Sequence, residues 1–406
     1  MPVITNKEQI DEILSRSVAE VLPSKEALAQ RLASGKRIRL YVGADATGPE
    51  LHLGHSTNFL LLEKLRQLGH EVIILFGDFT ARIGDPTDKG AARQRLTKEE
   101  VEENIAGWKE QVAPILSLTD PENPAVIKQN SEWLAPLGFG DVVDIASHFT
   151  VQHMLERDMF EKRIKGGKPV YLHEFLYPLM QGYDSVAMDV DGEVGGTDQT
   201  FNMLAGRTLQ KAYNEKEKFV ISTTLLAHPE SGKKLMSKSE GGYIALNDIP
   251  HDMFGKVMAL PDQVMTQMFI DCTLVPMEEV NDIRAQLESG DVNPRDIKMR
   301  LAREIVRMYH GEEQADQAEA SFVGAFQQGG VPIEIPTIVV EPETPLADAL
   351  LEHGLVESKS AFRRLVESGA VKNTDTGEKI EDPAVTVSEG AVLKIGKKIF
   401  VRLELQ

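Results

Sequence analysis

One cysteine, Cys272, stands in 406 residues. No internal disulfide can form, which fits a reducing compartment. No apolar run approaches the ~20 residues that span a bilayer. The opening MPVITNKEQI has neither a basic n-region nor an apolar h-region, so secretion is not expected. No Cys–His cluster carries metal-ligand spacing, and no internal repeat or low-complexity tract is evident, so no zinc site is expected. Positive charge is scarce: 44 Lys+Arg face 63 Asp+Glu, a net of −19. An acidic surface repels phosphate, which excludes indiscriminate nucleic-acid binding. The deficit is uneven, because 344–406 is close to neutral, and RNA would dock there in preference. What remains is a cytoplasmic protein with no membrane partner. Its length suits two or three domains and its 42% hydrophobic content supports real cores.

The chain is organised around YVGADATGPELHLGH, Tyr41–His55. RIRLYV before it reads as a buried strand, and GHSTNFLLLEKLRQLGH after it as a helix with Leu60, Leu61, Leu65 and Leu68 at helical spacing and Gly69 as cap. A strand, a glycine-containing loop and a helix start make an anion site, since free backbone N–H groups and the helix dipole point at the ligand. His52 and His55 fall on one face there. Alone, such a histidine is more often a helix cap or a core residue than a catalyst, and half a metal site is the least favoured reading.

Before this segment, residues 7–35 read as two amphipathic helices broken at Pro23. After it, Glu71–Phe79 is a second buried strand, and TARIGDPTDKGAARQR a polar loop. Thr97 opens a capping box and a helix to about Leu118, and Ala125–Asn130 is a third strand. Near-continuous apolar strands alternating with helices indicate a parallel sheet covered on both faces, with ligands beyond its C-terminal strand ends. His173–Met188 reads as a helix despite Pro178 and sets Tyr177, Gln181 and Asp184 on one face. VGGTDQTFN is a glycine turn into a helix, Lys218–Thr223 a strand, and ESGKKLMSKSEGGYIAL a basic loop. From Asp248 to about Phe326 the pattern is helical, with Ile297, Leu301, Ile305 and Met308 in one stripe. Gln327–Pro345 reads as an extended connector. Short helices and a hairpin ending VLKIGKKIFVRL follow.

Together these motifs resemble class I aminoacyl-tRNA synthetases. HLGH at 52–55 is similar to their HIGH signature, and LMSKS at 235–239 to their KMSKS loop. YPLMQGYD matches the Y-x-x-x-Q-x-x-D helix of the bacterial tyrosyl enzymes, and IGDP at 83–86 and GGTDQ at 195–199 resemble further motifs of that family. The similarity covers nearly the whole chain. It implies an α/β Rossmann-type catalytic domain over 1–247 and an all-α anticodon-side domain over 248–326. A linker over 327–343 and a small α+β RNA-binding module over 344–406 complete the division. Two positions depart from the motifs: Leu53 replaces the Ile of HIGH, and Leu235 the first Lys of KMSKS, with Lys234 one place earlier.

The resemblance implies activation of tyrosine by ATP to tyrosyl-adenylate and pyrophosphate, then transfer to the 3′ end of tRNA(Tyr). The carboxylate nucleophile is already ionised, so catalysis rests on in-line placement and stabilised phosphate charge. His52, His55, Thr47, Lys238 and Lys234 are the implied catalytic set. Gly43, Asp45, Gly54, Gly196, Asp198, Met236 and Lys238 would bind ATP, with Mg²⁺ arriving on the nucleotide and no tightly bound cofactor. Asp184 and Tyr41 would hold the phenol hydroxyl, Asp85, Tyr177 and Gln181 the ammonium, and Gln199 the activated carboxyl. Phenylalanine would leave Asp184 and Tyr41 unpaired; tyrosyl enzymes are themselves the established case of such discrimination without editing, and no inserted segment is large enough for an editing domain. Lys359, Arg363 and Arg364 would meet RNA phosphates, and a homodimer is implied. The rival readings are a tryptophanyl enzyme, disfavoured by Asp184 with Tyr41, and an RNA-binding relative that has lost catalysis.

Overall fold

The computed structural model describes all residues except 85–95, 229–231, 233, 237–242, 325–336, 342, 357, 375, 388–389, 397–398 and 406, with the backbone alone at Asp158. The chain forms two compact units, Met1–Ala315 and Asp316–Gln406. In the first, β1 (Val18–Leu22), β2 (Arg39–Asp45), β3 (Glu71–Gly77), β4 (Val126–Gln129), β5 (Gly192–Gly196) and β6 (Phe219–Thr223) make one sheet in the order β1-β6-β5-β2-β3-β4. Strands β2 to β6 are parallel; β1 adds antiparallel at the edge. The chain steps outward from β2 to β3 and β4, then returns to β5 and β6 on the other side. The topological switch point, where such sheets open a crevice, therefore lies between β2 and β5.

Three local differences from the sequence expectation have physical causes. Between the helices Lys7–Ser15 and Lys25–Ala33, residues Val18–Leu22 form β1, where Val21 is buried and Ala19 and Glu20 face out. Strand β2 runs past Val42 to Asp45, because β3 pairs with it as far as Asp45 opposite Gly77. The helix capped by Thr97 ends at Val112 instead of Leu118. Pro114, lacking an N–H, cannot continue its ladder.

Among the described residues the helices Pro250–Met258, Met265–Cys272, Met277–Ser289 and Pro294–His310 follow the sheet, and Glu312–Phe322 runs on across the boundary between the units. Ile297, Leu301 and Ile305 are buried as the stripe requires. This helical region is fastened to the N-terminus by Arg16, which is 5% exposed. Its guanidinium donates to four backbone carbonyls: Ile270 at 2.9 Å, Val275 at 2.7 Å, Phe269 at 2.9 Å and Thr273 at 2.6 Å.

His70 is fully buried after the Leu53–Gln67 helix. Burial, with Arg37 and Arg31 nearby, pushes its imidazole down to about 4. The unfolded chain then binds the extra proton between the two values, so stability is unaffected above about pH 6.5 and falls as pH drops toward 4. His70→Gln should remove up to about 3 kcal/mol of this acid-limb loss, read as urea-unfolding free energy between pH 7 and 4. An unchanged slope would exclude His70 as its source.

In the second unit, β7 (Thr337–Val340), β8 (Val371–Asn373), β9 (Ala391–Ile395) and β10 (Ile399–Leu405) form a sheet ordered β7-β10-β9-β8. Only the β7–β10 pair is parallel. Thr337–Val340, expected as extended connector, is thus a paired strand. Helices Leu346–Glu352 and Lys359–Glu367 pack Leu350, Phe362 and Val366 against Ile338, Leu393 and Val401. Among the described residues no helix of the chain is long and apolar enough to cross a membrane.

Candidate active site

The C-terminal ends of β2, β3, β5 and β6 open on one cleft with a cavity volume of about 370 Å³. Its deep wall lies at the switch point. Tyr41, in the middle of β2, is wholly buried, and its hydroxyl shares a 3.0 Å hydrogen bond with Ser185. Asp184, on the Leu176–Ala187 helix, is 3% exposed. It accepts from Trp133 Nε1 at 2.7 Å on one oxygen and from Asn130 Nδ2 at 3.3 Å on the other. Burial, then the charges of Glu193 and Asp45, holds the Asp184 carboxyl well above the usual range against these two donors. Burial together with Glu193 and Asp184 likewise raises the Tyr41 phenol. A hydroxyl brought here would be the obvious partner for both.

Tyr177, Gln181 and Asp184 all line the cleft, as their spacing requires. Tyr177 donates to Asp45 Oδ2 at 2.8 Å, and Thr80 to Asp45 Oδ1 at 2.6 Å. Asn130 Nδ2 reaches Thr80 Oγ1 at 3.0 Å and so links Asp45 to Asp184 through side chains. Gly77 makes room for this: a Cβ there would lie 2.1 Å from Asp45 Oδ1. Asp85 lies outside the described residues.

His52 and His55 stand at the other end of the cleft, as N-cap and third residue of the Leu53–Gln67 helix. Their ring centroids are 3.8 Å apart. The His52 N–H donates to His55 Nδ1 at 3.1 Å. That nitrogen therefore carries a lone pair, and the proton of neutral His55 sits on Nε2, ready to donate. Gly54 leaves the approach open, since a Cβ would come within 3.1 Å of the His52 ring and 3.2 Å of Met236 Cβ. The loop ahead of His52, which carries Thr47, is braced by the Lys98–Val112 helix. Asn104 donates to Ala46 O at 2.9 Å, and Gln111 accepts from Leu51 N at 2.7 Å while donating to Pro49 O at 2.9 Å. Gly43 also lines the cleft.

Lys234 enters the cleft and pairs with Asp198 at 2.7 Å. Gln199 and Gly196 are beside it; a Cβ at Gly196 would lie 2.7 Å from Asp198 Oδ1. Lys238 falls outside the described residues. In the second unit, Arg363 and Arg364 are exposed, whereas Lys359 is engaged by Asp348.

Sequence reasoning did not single out Trp133, Asn130, Thr80, Glu193 or Lys218. The last two form a buried ion pair, of which Glu193 lines the cleft. Their signal was present, since Glu193 interrupts a glycine–valine strand and Lys218 opens an apolar one.

The family model for class I tRNA synthetases (W and Y) matches residues 33–327. A tyrosine–tRNA ligase of Carboxydothermus hydrogenoformans is 45% identical over 99% of both chains. One of Thermotoga maritima is 42% identical over 98% of both. Among solved structures, a C-terminally truncated Aspergillus nidulans mitochondrial tyrosyl-tRNA synthetase aligns with TM-score 0.66 at 22% identity, covering 78% of this chain and 94% of that one. An Archaeoglobus fulgidus tyrosyl-tRNA synthetase complexed with L-tyrosine aligns with TM-score 0.60 at 23% identity, covering 77% and 99%. These two likenesses concern the fold.

Proposed function

The chain belongs to the tyrosine–tRNA ligases of class I, and from that premise we propose how its residues divide the work of activating tyrosine with ATP and charging tRNA(Tyr). A tyrosine carboxylate oxygen attacks the α-phosphorus of ATP, and the bond to the bridging oxygen of pyrophosphate breaks. The terminal ribose hydroxyl of the tRNA then attacks the tyrosyl carbonyl and AMP leaves. No protein nucleophile is needed; placement and phosphate electrostatics supply the rate.

Supporting this division is one cleft lined at its depth by Tyr41, Gln181 and Asp184 and at its mouth by His52, His55 and Lys234. Asp184 and Tyr41 take the phenol hydroxyl. Gln181, Tyr177 and Asp85 take the ammonium, and Gln199 the carboxyl. His55 Nε2, His52 and Thr47 donate to phosphate oxygens. Gly43, Gly54, Gly196 and Met236 flank the nucleotide, and Asp45 lies beside it. Asp198 turns to the ribose, which releases Lys234 toward the pyrophosphate; Lys238 adds a second charge. Mg²⁺ would arrive on the nucleotide, held mainly by phosphate oxygens and water.

His55→Ala should slow tyrosine-dependent ATP–pyrophosphate exchange about 10²-fold while tyrosine affinity holds. Weakened tyrosine binding at an unchanged rate would overturn this placement.

The division into catalytic (1–247), helical (248–326), linker and RNA-binding parts belongs to this reading, with Thr337–Val340 moved from the expected linker (327–343) into the RNA-binding part because it pairs with β10; a cytoplasmic setting belongs to it too. Arg363, Arg364 and Lys359 offer phosphate contacts from one short helix. Phe139, Val143 and Leu172 expose large apolar side chains, Phe139 to 85%, and a second copy of the chain is their natural cover. Sedimentation should give twice the 44.9 kDa chain mass, and Phe139→Glu with Leu172→Glu should return the monomer; a monomeric wild type would refute the dimer.

A further inference from the structure

Glu193 on β5 stands in register opposite Tyr41 on β2, across the switch point. One carboxylate oxygen pairs with Lys218, and these side chains are 2% and 0% exposed. Lys218 also donates to Met203 O at 3.0 Å and lies 5.7 Å from the centre of the Tyr41 ring. Gly206 gives its ammonium room, since a Cβ there would fall 2.3 Å from Nζ. An ion pair this deep is a weak device for stability; apolar side chains of similar volume often do as well or better. Its second oxygen suggests what it does instead. Glu193 Oε1 accepts from Gln181 Nε2 at 2.9 Å.

We propose that Glu193, paired with Lys218, is a positioning residue that fixes which end of the Gln181 amide faces the substrate. A carboxylate only accepts, so the amide must turn its nitrogen to Glu193 and its oxygen to the cavity. An α-ammonium only donates, so it needs that oxygen. A neutral residue at 193 could donate to Gln181 and would leave both orientations open. Lys218 gives the other carboxylate oxygen a fixed partner, so Oε1 stays aimed at Gln181. The inference deepens the assignment of Gln181 to the ammonium and rests on it.

Two tyrosine analogues separate the possibilities in the full-length enzyme, as inhibitors of tyrosine-dependent pyrophosphate exchange. Tyrosinol keeps the ammonium; 3-(4-hydroxyphenyl)propionate lacks it. In the charge-balanced variant Glu193→Gln/Lys218→Met, the tyrosine KM and tyrosinol Ki should rise about 10-fold, with the ATP KM and the propionate Ki within about twofold of wild type. Glu193→Gln alone leaves Lys218 the Met203 carbonyl and carries the same expectation should the double variant not fold. Gln181→Ala should weaken tyrosinol selectively too. Equal weakening of both analogues at 193, or of neither, while Gln181→Ala stays selective, overturns the positioning role alone. An unselective Gln181→Ala overturns the ammonium assignment and the inference with it.

Discussion

Asp184→Ala should lower kcat/KM for tyrosine in pyrophosphate exchange by about 10³-fold, with the ATP KM close to wild type. Three donors meet this carboxylate: the half-buried Trp133 Nε1, Asn130 Nδ2, which it shares with Thr80 Oγ1, and, as proposed, the substrate phenol. Each buried group left unmatched costs about 1–3 kcal/mol, more where a charge is involved, and each 1.36 kcal/mol is a factor of ten. Asp184→Asn is the sharper variant. It keeps the volume but offers one acceptor oxygen where the carboxylate offers two, so it should also fail with tyrosine while folding normally. ATP binding, measured separately, serves as the control, since the histidines lie at the far end of the cleft. Full tyrosine activity in Asp184→Asn would move phenol recognition elsewhere, with Tyr41 and Ser185 the next candidates.

Arg16→Ala should cost about 3–5 kcal/mol of unfolding free energy, the range for stripping one partner from a buried charged network. Four carbonyls accept from this one guanidinium, and they lie at the end of the Met265–Cys272 helix and in the turn beyond it. Removing it strips this donor from all four, although Phe269 O keeps the Thr273 hydroxyl and Ile270 O the Ser17 hydroxyl, so the cost falls chiefly on the buried Val275 and Thr273 carbonyls. Burial already draws the Arg16 guanidinium below its ordinary value, so it is retained for geometry at some electrostatic expense. Arg16→Lys should recover only part of the loss, because an ammonium cannot reach four acceptors arranged for a planar fork. The check is a urea midpoint at constant m-value. A shift worth under about 1 kcal/mol would show that water or backbone rearrangement satisfies those carbonyls.

Much of the architecture was legible in the sequence because its strands are apolar and buried on both faces. Glu71–Gly77 could hardly be anything else, and the Thr97 capping box named its own helix start. The edge strand at Val18–Leu22 was not legible, since only one of its faces is buried and its five residues sit between two helical patterns. Nor was β7: a four-residue strand with alternating burial and prolines nearby resembles any connector until its partner is known. The same asymmetry governs the site. Residues spaced on one helix, such as Tyr177, Gln181 and Asp184, declare a shared face through periodicity alone. Trp133 and its helix cap Asn130 lie on one short element and Thr80 on another, and they gain their roles only when the sheet brings them to Asp184 and Asp45. Glu193 and Lys218 could have been flagged as charges inside buried strands, but their pairing required the β5–β6 order.

Asn104 and Gln111, the two amides that brace the loop before His52, bear on when the enzyme meets the entropy of that loop. A loop shaped by its ligand is ordered anew with every nucleotide that arrives, and affinity is reduced each time. Here two of the loop's carbonyls and one of its N–H groups are already engaged by the neighbouring helix. The ordering is charged once, to folding, and spread over the lifetime of the molecule. With ATP placed against this loop as proposed, nucleotide exchange would be uncoupled from loop stiffness, leaving the binding energy of ATP for the in-line geometry that the reaction requires.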